Sequence, residues 1–220
     1  MFGGKIKNIT LALVVVMITG CASFEKKELT RLDTLPDVSQ YENKPSVYVD
    51  VKFYRGMPGD RSMEMSQVTE KLIPIVERAV EKSALFSQYT FDESQNTEHD
   101  YVIRMNVYNH GNVAAASISG FITGFTFGVI PGAATDNFTL DMEAVDRNGR
   151  FLSSFSNKDS MTTWFGLWFI PMMGNTPDKA VDGTLENQVM TALKELIESG
   201  VMKYSYRNHL LFEVMDKSEA

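Results

Sequence analysis

Val47, Val49, Val51 and Phe53 take every second position of Ser46–Tyr54, and Tyr48, Asp50, Lys52 and Tyr54 fill the places between them. In an extended chain a period of two puts all the apolar side chains on one face. A strand with one apolar face needs neighbours at its edges and a layer over that face, so this pattern restricts the chain to a covered sheet. The same alternation recurs in Tyr101–Tyr108, through Tyr101, Ile103, Met105 and Val107. It recurs again in Asn137–Val145, through Phe138, Leu140, Met142 and Ala144. Asn148-Gly149 follows, and both residues tolerate the positive φ of a type I′ turn. The turn predicts a hairpin of Asn137–Arg147 with Arg150–Asn157, in which Phe155 faces Met142.

Between these strands the period lengthens. From Ser62 to Leu85, Val68, Leu72, Ile75, Val76, Ala79 and Val80 fall at helical spacing, with Glu70, Lys71, Glu77, Arg78 and Glu81 opposite them. Pro74 inside that pattern predicts a kink or a restart. A last helix opens at Thr176-Pro177, a capping residue before a first-turn proline, and closes at Gly200. Its stripe is Val181, Leu185, Val189, Leu193 and Leu196 or Ile197. The order β-α-β-β-β-α predicts an α+β fold. The expected form is a two-layer sandwich, with a four-stranded, mainly antiparallel sheet and two helices on one face. The domain spans 46–204, followed by a C-terminal tail, 205–220.

The amino terminus has the parts of an export signal. Lys5 and Lys7 are its charges, Ile9–Ile18 is a short apolar run, and Ile18-Thr19-Gly20 leads to Cys21, the only cysteine of the chain. No intrachain disulfide can form, so the core must hold the domain together. Ile18-Thr19-Gly20-Cys21 resembles the lipobox of bacterial lipoproteins. The resemblance implies removal of a signal peptide, 1–20, by cleavage between Gly20 and Cys21. It also implies a diacylglycerol on the Cys21 thiol and an acyl chain on its new amino group. Several acyl chains anchor stably where a single one is marginal. Ala22 and Ser23, in place of an aspartate after the cysteine, imply the outer membrane and its periplasmic side. An ordinary export signal with an incidental cysteine is the alternative. Residues 21–45 are polar, mixed in charge and without period, and read as a lipidated flexible tether.

Residues 111–136 form an apolar loop whose first 25 residues carry no charge. Gly120, Gly124 and Gly128 recur every four residues, a spacing that keeps small residues on one stripe of a helix or one face of a strand. Phe121, Phe125 and Phe127 lie among them. A second apolar segment, Trp164 to Met173, holds both tryptophans, Trp164 and Trp168, with Phe165 and Phe169. Antiparallel strands would bring both segments to one end of the sheet. Such a patch marks a contact with a membrane, a partner or a second copy. Burial as core, or a spanning helix of Val113–Ile130, are the other readings.

Enzyme chemistry has little support. His99, His110 and His209 are too scattered for a ligand motif and read as loop or surface residues. Asp141 and Glu143 fall on the solvent face of a strand, and no nucleophile elbow or phosphate-binding loop is present. The chain is therefore expected to be no enzyme, with no catalytic or metal site and no cofactor apart from the acyl groups on Cys21. A hydrolase or glycan-binding module would need a polar cleft with convergent carboxylates. The formal charge of −7, which grows more negative on loss of Lys5 and Lys7, argues against nucleic acid.

The element order behind a lipobox is similar to that of the lipopolysaccharide-assembly lipoprotein and of curli-type secretion lipoproteins. Thr126-Phe127-Gly128-Val129-Ile130-Pro131 resembles a glycine-containing segment of functionally unassigned Gram-negative outer-membrane lipoproteins. These resemblances imply a non-enzymatic accessory or assembly subunit of a cell-envelope complex, with an envelope protein or further copies of itself as partner. The alternative is an oligomeric export or secretion pore subunit.

Overall fold

The computed structural model describes residues 20–206 apart from 33, 39, 40 and 60. The strands are β1 (Gly20–Glu25), β2 (Tyr41–Asn43), β3 (Ser46–Arg55), β4 (Met63–Glu64), β5 (Gln88–Thr90), β6 (Tyr101–Asn109), β7 (Gly132–Asp146), β8 (Phe151–Gly166) and β9 (Ser205–Tyr206). The helices are α1 (Ser66–Ser83), α2 (Val113–Phe125) and α3 (Pro177–Glu198). Seven strands form one sheet in the order β1-β8-β7-β6-β3-β4, with β5 also paired to β3. β2 and β9 pair separately.

The α+β class stands, but the expected sheet does not. It has seven strands rather than four, it is mixed, and three α-helices accompany it among the described residues. β3 runs parallel to β6, with Val49 beside Ile103, because α1 carries the chain back across the sheet between them. The added strands β4 and β5 are too short for a period to show. β1, Cys-Ala-Ser-Phe-Glu after its first glycine, lacks clean alternation.

The alternating residues do face the core. Val47, Val49, Ile103, Met105, Leu140, Met142 and Ala144 join one buried cluster with Leu72, Ile75, Val76 and Ala79 of α1 and Leu185, Val189, Leu193 and Leu196 of α3. Arg78–Asp182 (2.9 Å) and Lys82–Glu186 (3.1 Å) join the two helices at the surface. Exposed pairs contribute about 0–1 kcal/mol. Burying a leucine-sized side chain contributes about 1.5–3 kcal/mol, so the apolar faces hold the layers together. Pro74 lies inside α1 without ending it, and Thr176 caps α3 by accepting from the Lys179 N–H.

The β7–β8 hairpin has the expected register, with Met142 opposite Phe155. Its turn is not type I′. Only Gly149 has positive φ, +77°, and its N–H closes on the Asp146 carbonyl (2.8 Å). The Asp146 carboxylate accepts from the N–H groups of Asn148 and Arg150 (both 2.9 Å). This arrangement suits a longer loop that ends in a left-handed glycine.

Residues 21–45 are not free chain within their described part. β1 is hydrogen-bonded to β8, Ala22 is fully buried and Val38 nearly so. The Leu32 N–H donates to Asn187 of α3 (2.9 Å), and Tyr41 packs on Tyr204 with ring centres 5.1 Å apart. Leu32, Leu35 and Val38 supply the apolar contacts that a polar composition hid. The signal expected over 1–20 lies outside the described residues except for Gly20. So does the tail from 207 onward, including His209.

At the start of β3 the Ser46 N–H and hydroxyl donate to Asp100 Oδ2 (3.0 and 2.9 Å). These bonds, with Arg147 nearby, hold the Asp100 carboxyl below its usual 3.8. A depressed folded value stabilises the fold above the unfolded pKa, and that contribution is lost as pH falls through the folded value. Asp100→Asn should therefore lower the denaturant midpoint most at neutral pH. The gap to wild type should close as the pH is taken down through the carboxylate range.

Candidate functional site: an apolar end of the sheet

β7 and β8 extend past β3 and β6 at the end opposite the Asp146–Arg150 turn, with Gly132 paired to Phe165 at the far limit. On this overhang sits α2. The Asn112 side chain caps it by accepting from the Ala115 N–H (3.0 Å). Its inner stripe is small and polar. Ser119 Oγ accepts from the Ala133 N–H (2.7 Å), and Thr123, almost fully buried, donates to the Ser119 carbonyl (3.0 Å). Gly132 makes this approach possible, because a Cβ there would run into Thr123 Oγ1 and Ser119 Oγ.

The outer stripe is large and apolar. Ile118, Phe121 and Phe125 are 64%, 73% and 77% exposed, and the two phenylalanine rings stack at 6.3 Å. The helix thus reverses the usual arrangement, in which the apolar stripe faces the protein. A Cβ at Gly120 or Gly124 would meet nothing within 4 Å among the described residues, so none of those residues closes on their smooth stripe.

The segment after α2 is fastened to the tryptophan segment. The Gly128 N–H donates to the Thr123 carbonyl (2.8 Å), and its own carbonyl accepts from the Leu167 N–H (3.0 Å). Trp168 Nε1 donates to the Val129 carbonyl (2.9 Å). Gly128 is buried with φ +80° and serves this turn, whereas Phe127 beside it holds φ +51° and remains 63% exposed. A left-handed conformation costs a non-glycine residue about 1–2 kcal/mol, and here it accompanies a phenylalanine directed to the outside. Trp164 stacks on Phe169 at 5.8 Å. Trp168 is 68% exposed, and Phe165 and Phe169 are half-buried.

Cys21 lies at the same end. β1 pairs Gly20 with Gly166 and Cys21 with Phe165. A Cβ at Gly20 would strike the Ile170 backbone, and the Ser23 N–H donates to the Asn175 carbonyl (2.8 Å). Ala22 and Ser23 are both buried in this strand. The sequence placed the two apolar segments together, but it did not show that Cys21 joins them. Nor did it mark Ser119 and Thr123 as the docking face. Their spacing of four, on one side of a run of phenylalanines, is the signal that was there to read.

Among the clefts of the described residues are two with charged side chains in their walls. One of about 710 Å³, lined by Arg55, His110, Asn112, Ala116 and Asp136, opens beside the start of α2. Several of its polar groups are engaged: Asn109 donates to Asp136 (3.0 Å), and His110 Nε2 bonds Thr139 (2.9 Å). The other, of about 830 Å³, lies at the turn end and includes Asp100, Asp146, Arg147, Arg150 and Tyr204. Arg147 and Arg150 there pair with Asp100 and Asp146 (3.4 and 3.1 Å). Burial raises the Tyr204 hydroxyl to about 12. His99, expected at the surface, is buried. Among the described residues no group of three or more His, Cys, Asp and Glu could hold a metal ion, and no helix is long and apolar enough to cross a membrane.

No protein-family model matches the chain, and no curated protein matches it. Solved structures of similar course include the PelC dodecamer from Paraburkholderia phytofirmans. It is 11% identical with a TM-score of 0.36, over 81% of this chain and 97% of that one. A minor lipoprotein from Acinetobacter baumannii is 10% identical with a TM-score of 0.34, over 74% of this chain and 96% of that one. A DUF4136 family protein from Bacteroides thetaiotaomicron is 11% identical with a TM-score of 0.25, over 83% and 96%. At these scores none of them assigns a function to this chain.

Filling the space under α2 should release it. Gly132→Val forces an overpacked contact costing about 1–3 kcal/mol. Amide exchange across 113–125 should then accelerate about tenfold for each 1.4 kcal/mol lost, while β3 and β6 keep their protection.

Proposed function

We propose that this chain is an outer-membrane lipoprotein, anchored by acyl groups on Cys21. Its periplasmic domain would act as a non-enzymatic accessory or assembly subunit of a cell-envelope complex. The observation that carries this reading is the reversed helix α2. Its polar stripe faces the sheet and its aromatic stripe is presented outward, at the same end of the sheet as the strand that contains Cys21. A domain of this size rarely leaves so large an apolar surface uncovered without a contact to make. The lipobox-like Ile18-Thr19-Gly20-Cys21 supplies the anchor in this reading, and the apolar end is a surface fixed next to it. The clefts offer no pair of free carboxylates for hydrolysis, since Asp100, Asp136 and Asp146 are each held by hydrogen bonds from neighbouring groups.

The alternative, an oligomeric export subunit, draws on the open stripe at Gly120 and Gly124, a surface on which a second helix can approach closely.

The intact mass of protein purified from membranes should correspond to a chain beginning at Cys21 and carrying a diacylglycerol and a further acyl group. Cys21→Ser should leave the precursor uncleaved and displaced from the outer-membrane fraction. A bare thiol, or cleavage elsewhere, overturns the anchor. Native mass spectrometry in detergent separates the two roles. A ring of fixed copy number supports the export subunit. Monomers that recover one envelope partner support the accessory subunit.

A further inference from the structure

We infer that the apolar end is a bilayer-insertion surface on which the sheet stands directly, with the outer stripe of α2, the Phe127–Ile130 turn and Trp168 entering the lipid next to the point where the chain is anchored. The inference rests on the anchor proposed above and names what covers the patch.

Three observations select lipid over a protein partner. The first is position. The apolar run Ile9–Ile18 precedes Gly20, and Gly20 is paired with Gly166 inside the patch. Whether the chain is held by that run or by acyl groups on the next residue, the bilayer is brought to this end. β1 is hydrogen-bonded into the sheet from its first residue, so no free length separates the anchor from Trp164 and Ile170.

The second is charge. Residues 111–135 and 160–177 carry none, whereas the chain as a whole is acidic. A protein interface usually has a polar rim close to its apolar centre. Here the uncharged zone takes in all of α2, the turn after it and the tryptophan segment.

The third is the kind of side chain exposed. Phe121, Phe125, Phe127, Val129, Ile130, Trp168, Met172 and Met173 project from two segments bound to each other by backbone and indole hydrogen bonds. Aromatic and aliphatic groups on a short helix, with an indole at its border, suit insertion about 5–10 Å into the interface. With 13 residues, α2 is about 20 Å long, too short to span a bilayer but long enough to lie along its surface. The apolar end and the anchor then act as two attachments, where one alone is weak.

The two tryptophans make the test direct. Full-length protein is extracted from membranes and reconstituted in phosphatidylethanolamine–phosphatidylglycerol vesicles, with and without bromine on the acyl chains near the headgroup. Tryptophan emission should shift to shorter wavelength in vesicles, be quenched by the brominated lipid and be shielded from aqueous iodide. The double variant Phe121→Ser/Phe125→Ser removes two exposed side chains, so it should melt like wild type and remain on the vesicles through Cys21. It should lose most of the quenching. Emission that is open to iodide and untouched by bromine overturns the inference. So does a shift that grows with protein density but is not quenched, because a second copy then covers the patch. Failure of the anchor is seen separately, as protein that lacks acyl mass. Vesicle-bound molecules of that protein still report on the apolar end through the same quenching.

Discussion

Backbone pairing between β7 and β8 supports everything at the apolar end. The two strands stay hydrogen-bonded from Val145–Phe151 to Gly132–Phe165. At about 3.3 Å per residue, a strand of 15 residues is about 50 Å long, whereas β3 with 10 is about 33 Å. The central sheet uses only the part nearer the turn. The overhang is where β1 finds an edge, where α2 finds Gly132 and Ala133, and where the segment from Leu167 finds Gly128. Shortening the hairpin at that limit would remove the platform for all three while leaving the core of Val49, Ile103, Met142 and Leu193 in place.

Where burial and side-chain period agree, the sequence can be read directly. Val47 to Phe53, Ile103 to Val107 and Phe138 to Ala144 alternate because one face meets α1 and α3, and their order reveals a covered sheet. Met142 does face Phe155, as the pleat requires, because an irregularity between Ala144 and Val145 absorbs the extra residue of the turn. Strand number and direction are harder to see. β4 and β5 are held by a few backbone bonds that any side chains permit, and β1 is an edge strand whose serine and glutamate resemble a linker. The parallel neighbours β3 and β6 follow from the crossover of α1, which spacing alone does not orient. The two-residue turn expected at Asn148-Gly149 gave way to a longer one because the Asp146 carboxylate gathers the N–H groups of Asn148 and Arg150.

At the candidate site the difficulty is of another kind. A glycine every four residues fits a helix stripe or a strand face equally well, so 111–136 could be recognised as unusual but not assigned. The usual rule also sends the apolar side of a helix inward. Ser119 and Thr123 reverse it: the Ala133 N–H at the start of β7 needs an acceptor that the Ser119 hydroxyl supplies and a phenylalanine cannot, and Thr123, its own hydroxyl bonded to the Ser119 carbonyl within the helix, is small enough to sit over Gly132. Only the sheet register brings Cys21 to Phe165, across 144 positions of chain, and nothing local in either segment records it.

The lack of slack after Cys21 has a geometric consequence. A domain on a floppy leash samples every orientation, and each of its faces is presented in turn. With its first strand built into the sheet, a domain anchored at Cys21 as proposed would be held by a rigid stalk, and the anchor would also set the tilt of the hairpin and the height of its opposite pole. The pole with Asp146, Arg147 and Arg150 would then stand at a fixed distance of about 50 Å from that attachment, given the strand rise. A structure arriving there would meet the same charged rim each time, at one height and in one direction.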